Sequence, residues 1–163
     1  MVEGMTTGPA AVLWDMDGTL VDSEKVWTVS LQDTARALGG TLSPAARTAV
    51  IGSDMAHTLT VLFDDLGLTP DPGRLSEVEQ MINRRTGELF DAGLEWRPGA
   101  QEALHTVRAA GWPTALVTNT GRALTERALD VIGREHFLAT VSSNWPRCFS
   151  LSRLIVVLNG SSI

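Results

Sequence analysis

The sequence predicts an α/β protein whose parallel sheet is interrupted once by a helical insert, and three observations predict it. A short, continuous apolar run, Ala10–Trp14, ends in two carboxylates, Asp15 and Asp17. A second run, "TALV" at 114–117, ends in Thr118 and Asn119. Between the two lie some seventy residues of helical period. Short apolar runs of this kind suit strands buried on both faces of a parallel sheet, whose ligands gather beyond the carboxyl ends of the strands.

The elements follow in order. After Ser23, residues Trp27, Leu31, Ala35 and Leu38 repeat at helical spacing, and Gly39-Gly40 punctuates. Ser43-Pro44 reads as the cap and first turn of a short helix ending near Gly52. Asp54 caps a third helix with Met55, Leu59, Leu62 and Leu66 on one face and Gly67 beyond its end. "TPDPG" at 69–73 reads as a turn, and Leu75, Val78, Ile82 and Leu89 line a fourth helix bounded by Gly93 and Pro98-Gly99. Ala100, Ala103, Leu104 and Val107 mark a helix stopped by Gly111; residues 122–132 are helical again, and 137–141 read as a third strand. This organisation divides the chain into residues 1–21 (first strand and catalytic loop), 22–95 (helical cap insert), 96–141 (core continued) and 142–163, an atypical Ser-rich tail.

Composition narrows the function. Lys plus Arg is 13 against Asp plus Glu 19, a net charge of -6, which argues against nucleic acid or an anionic membrane as partner and leaves a small substrate. Cys148 is the single thiol, so no intramolecular disulfide or multi-cysteine metal site can form, and a reducing, cytoplasmic compartment is expected. The first residues carry no leader pattern, Met5 offers an alternative start, and no apolar stretch reaches the ~18 residues of a membrane span. No obligate protein partner is evident. His57, His105 and His136 share no ligand spacing and read as surface or core residues; Trp27 and Trp96 read as packing anchors.

The chemistry sits after the first strand. Two residues apart in extended chain, Asp15 and Asp17 face the same side, and Gly18 lets the chain turn. Like charges so close call for a proton or a cation between them, and Mg²⁺ is the hard ion that accepts one or two carboxylates plus water and phosphate.

"DMDGTLVDSE" resembles the first motif of the haloacid dehalogenase superfamily, "ALVTNT" its second, and "WRPGAQEAL" the segment by which the chain re-enters the core. The helical insert resembles the α-helical-cap branch, which includes β-phosphoglucomutase-like and phosphoglycolate phosphatase-like proteins. The resemblance covers residues 10 to about 141. It implies a Rossmann-like parallel-sheet core, incomplete at the C-terminus, with an inserted α-helical cap, and a Mg²⁺-dependent phosphatase acting on a small phosphorylated metabolite through an aspartyl-phosphate. It makes Asp15 the nucleophile and a metal ligand. It makes Asp17 the acid–base residue, also at the metal. Thr118 would hold a phosphoryl oxygen with Asn119 and backbone N–H groups including Gly18, and Gly52 would reach the substrate from the cap.

The departures from the family are equally plain. The third-motif Lys is missing, since the last Lys is Lys25, and so is the acidic pair that completes the metal site, since no Asp or Glu follows Glu135. The break in pattern reads as a truncated or frame-shifted chain with impaired catalysis. Arg147 and Arg153 are poor substitutes for the Lys. The alternatives to a phosphatase are a β-phosphoglucomutase-like phosphotransferase and a non-catalytic paralogue. Without a fourth strand, the first strand is expected to lie exposed at the sheet edge, and "RLIVVL" at 153–158 has too short a link to dock there readily.

Overall fold

The computed structural model describes residues 11–142 and the backbone of Ile155 and Val156. Expectations for the first ten residues and for the rest of the tail, Arg147, Cys148 and Arg153 among them, lie outside the described residues. Strand β1 (Val12–Asp15) is followed by four helices, α1 (Glu24–Ala37), α2 (Pro44–Ala49), α3 (Met55–Asp65) and α4 (Pro72–Asp91). Then come α5 (Ala100–Ala109), β2 (Thr114–Val117), α6 (Arg122–Ile132), a 3-10 turn (Arg134–His136), β3 (Ala139–Val141) and β4 (Ile155–Val156).

The sheet has the order β3-β2-β1-β4, and every pair is parallel. Strand β1 is therefore central, with Val12 opposite Thr114 on one side and opposite Ile155 on the other. This corrects the expected exposed edge. A β-branched dipeptide satisfies backbone groups that β1 would otherwise leave open.

Two apolar clusters form. The sheet cluster gathers Met16, Leu20, Val21, Leu116, Leu124, Ala128, Leu129 and Ile132 with Phe90 and Leu94; the cap cluster gathers Leu31, Ala35, Leu59, Leu62, Phe63, Val78 and Ile82 with Leu42 and Ala46. Helix α4 supplies both. Its buried positions Val78, Ile82, Thr86 and Phe90 step by four residues, so Phe90 and not the expected Leu89 enters the core. The helix also starts earlier than expected. Asp71 accepts the Arg74 backbone N–H at 3.0 Å and Pro72 takes the first position, so "DPG" serves as a helix start where a turn was read.

The cap is fastened at several points. Inside it, Thr86 Oγ1 donates to Ser30 Oγ (2.9 Å), which donates to the Ile82 carbonyl (3.1 Å), so the buried hydroxyls joining α1 and α4 are satisfied. At its root the two chain crossings run antiparallel: Asp22 N–H donates to Glu95 O and Arg97 N–H to Leu20 O, each at 2.8 Å. Trp27 packs on both clusters, as an anchor should.

Candidate active site

The turn after β1 is built by Met16. Its side chain is fully buried and its carbonyl faces the backbone N–H groups of Leu20 (3.0 Å) and Val21 (3.1 Å). Gly18 sits at φ +72°, a conformation that favours glycine, and its N–H donates to the Val21 carbonyl at 2.8 Å. With Met16 pointing into the core, Asp15 and Asp17 are left on the opposite side at the carboxyl end of the sheet.

The two carboxylates differ. Asp15 is exposed, and its Oδ2 accepts the Thr19 hydroxyl at 2.8 Å. Desolvation by the atoms packed around it raises its pKa above the usual carboxylate value; the bonds from Thr19 and the Met16 N–H oppose this, and the nearby Asp17 charge adds to it. Asp17 is half-buried and fully engaged. Its Oδ1 accepts Ser23 Oγ at 2.6 Å and Trp27 Nε1 at 3.4 Å; its Oδ2 accepts Thr118 Oγ1 at 3.0 Å and Thr120 Oγ1 at 2.7 Å. A carboxylate offers about four acceptor positions, so these donors fill it.

Thr118 is thus brought to the site, but its hydroxyl lies on Asp17. The end of β2 is held in place by the Thr118 N–H donating to the Val141 carbonyl at 2.9 Å. Asn119 is exposed at the same strand end. Gly52 lies in the exposed turn between α2 and α3, and no atom comes within 4 Å of where its Cβ would be; no hydrogen bond among the described residues ties it to either aspartate. Three contributors went unread. Thr120 has no signal beyond being a hydroxyl two residues after Thr118. Ser23 belongs to the motif "DMDGTLVDSE" and precedes α1; its hydroxyl makes no cap bond and donates to Asp17. Trp27 was read as packing alone.

The pattern of the haloacid dehalogenase-like hydrolases matches residues 12–145, and with it the strand, the aspartate turn, the cap and the Thr118 strand end. The chain belongs to that family. A phosphorylated carbohydrates phosphatase of Thermotoga maritima is 26% identical over 110 residues, 68% of this chain and 50% of the relative. The chain thus spans about half the length of that curated relative. CbbY from Rhodobacter sphaeroides, solved in complex with phosphate, superposes with a TM-score of 0.75 at 18% identity over 91% of this chain and 77% of that one. A predicted phosphoglycolate phosphatase of Haemophilus somnus gives 0.74 at 18% identity over 86% of this chain and 65% of that one. These likenesses are of fold: a Rossmann-like haloacid dehalogenase core bearing a helical cap.

Proposed function

We propose that this chain is a phosphatase-type hydrolase of small phosphorylated carbohydrates, with residues 22–95 as the cap over a core of 1–21 and 96–141, acting in the cytoplasm. The observation that carries the reading is the contrast between the two aspartates: Asp15 open at the strand end, Asp17 aimed beside it by four donors from the cap root and the β2 end.

In this reading an Asp15 oxygen attacks phosphorus, the bond to the leaving oxygen breaks with its electron pair, and that oxygen takes the proton of Asp17, whose acid form requires the Thr118 hydroxyl to turn away from Oδ2. Water then attacks the aspartyl-phosphate and gives a proton to Asp17. The bond from phosphorus to Asp15 breaks, restoring the carboxylate and releasing inorganic phosphate.

The donor set fits Mg²⁺. Asp15 retains acceptor capacity beyond its Thr19 bond, and the crowding that raises its pKa is what a cation relieves. Asp17, its carboxylate filled, would contribute its main-chain carbonyl, as the family resemblance implies. Among the described residues no third His, Cys, Asp or Glu joins them. When bound, the ion supplies charge neutralisation between Asp15 and the phosphoryl oxygens. The absence of a Lys after Lys25 and of a carboxylate after Glu135 supports a low rate for this chain by itself. Hydrolysis of p-nitrophenyl phosphate with Mg²⁺, lost on Asp15→Asn, tests the assignment; turnover that survives the substitution removes it.

A further inference from the structure

The two hydroxyls on Asp17 Oδ2 are not equivalent. Thr118 Oγ1 has a single proton, and because a carboxylate only accepts, that proton points at Asp17; the oxygen meanwhile accepts the Thr120 backbone N–H at 3.0 Å. Thr118 therefore cannot also donate to a phosphoryl oxygen while it holds Asp17. Thr120 has no such second task. It is 7% exposed, its carbonyl accepts Thr125 Oγ1 at 3.1 Å, its N–H is fixed on Thr118, and its hydroxyl makes the shorter bond to Oδ2. Thr125, 1% exposed on the first turn of α6, anchors this turn to the helix behind it.

We propose that Thr120 is the positioning residue for Asp17: it keeps Oδ2 in place when Thr118 turns its proton to the phosphoryl group, so that Asp17 stays aimed at the leaving oxygen. The inference rests on the phosphatase reading and deepens it by dividing labour between two hydroxyls. Thr118 serves the phosphoryl group. Thr120 serves the acid that protonates what leaves.

A poor leaving group exposes the difference, since it needs its proton early while a nitrophenolate does not. The experiment compares wild type, Thr120→Val, Thr120→Ser and Asp15→Asn on p-nitrophenyl phosphate and on glycerol phosphate, with thermal unfolding as the folding control and Thr120→Ala standing in should the valine variant unfold. Losing one hydrogen bond to a charged group should lower kcat/KM on glycerol phosphate by roughly 10–100-fold, with a much smaller loss on p-nitrophenyl phosphate and recovery to near wild type in Thr120→Ser. Equal losses on both substrates, or none, overturn the proposal while Asp15-dependent turnover still stands. Absence of Asp15-dependent turnover in the wild-type chain overturns the phosphatase reading itself, and the inference with it.

Discussion

Arg127 of α6 lies across Gly87 of α4 and ends in an ion pair with Asp91, Nη1 to Oδ2 at 2.5 Å. A Cβ on Gly87 would sit 3.0 Å from that same Nη1. The contact joins the sheet cluster's outer helix to the helix that continues into the cap. Both charged side chains are about half exposed, so the pair itself is worth at most ~1 kcal/mol. Gly87→Ala gains up to about 1 kcal/mol of helix propensity and needs only a small shift of a flexible side chain, so it should be neutral to slightly stabilising. Gly87→Leu cannot be accommodated that way and should cost about 1–3 kcal/mol. Urea denaturation of the two variants decides it; a destabilised alanine variant would mean Arg127 cannot give.

Asp15→Asn should abolish phosphate release and at the same time raise the unfolding temperature in Mg²⁺-free buffer. Its raised folded pKa means that Asp15 favours the folded state only at acid pH and loses that contribution as pH rises through the folded value, so the charge opposes folding at neutrality. Mg²⁺ should stabilise the wild type and not the variant, by about 2.7 kcal/mol at a concentration 100 times Kd. Equal Mg²⁺ shifts in the two proteins would remove Asp15 from the metal site.

Asp17→Asn should fold and turn over slowly. The amide oxygen can accept from Ser23 and Trp27, and the amide NH₂ can donate to Thr118 and Thr120, whose hydroxyls rotate to accept. What is lost is a transferable proton, a cost of about 10²–10⁴-fold in kcat. Asp17→Ala strands the Trp27 N–H and should unfold earlier than Asp17→Asn in a thermal scan.

At the amino end of β2, His136 faces Arg108, Nδ1 to Nη1 at 2.6 Å, and His105, ring centres 5.1 Å apart, while its carbonyl accepts the Thr114 hydroxyl. Arginine only donates, so Nδ1 accepts and the ring is neutral. Burial lowers its pKa, Glu135 opposes this, and Arg108 and His105 reinforce it. The stabilisation is therefore present above the unfolded value of about 6.5 and is lost as pH falls toward the folded one. Unfolding midpoints should drop below pH 6.5 more steeply in wild type than in His136→Gln.

Much of this was legible because local chemistry and tertiary fold agree. The limits of α6 and the β2 strand follow from apolar spacing and flanking glycines, and the aspartate turn from a motif that physics and resemblance read alike. Other features were hidden for definite reasons. Asp71-Pro72-Gly73 is both a turn signal and a helix start, and only packing of Val78 and Ile82 selects the latter. Leu89 and Phe90 are adjacent apolar residues, and the helix phase set by Val78, Ile82 and Thr86 puts Phe90 in the core. The pairing of His105 with His136, and Thr120 with Asp17, joins residues with no common period, which no reading along the chain can supply. Strand β4 is two residues long, too short to carry a pattern of its own.

Asp17 draws its four donors from separations of 6, 10, 101 and 103 residues. The near pair can form once α1 folds back on the first turn. The far pair waits until β2 has been laid against β1, after the whole cap has been synthesised. A growing chain emerging from the ribosome can therefore hold at most the near pair on Asp17 for some ninety residues of elongation, and the loop closure that completes the set has to order a long intervening chain. Activity would switch on only after the last long-range contact is made, so turnover during refolding times the closing of the sheet more directly than any signal from helix formation.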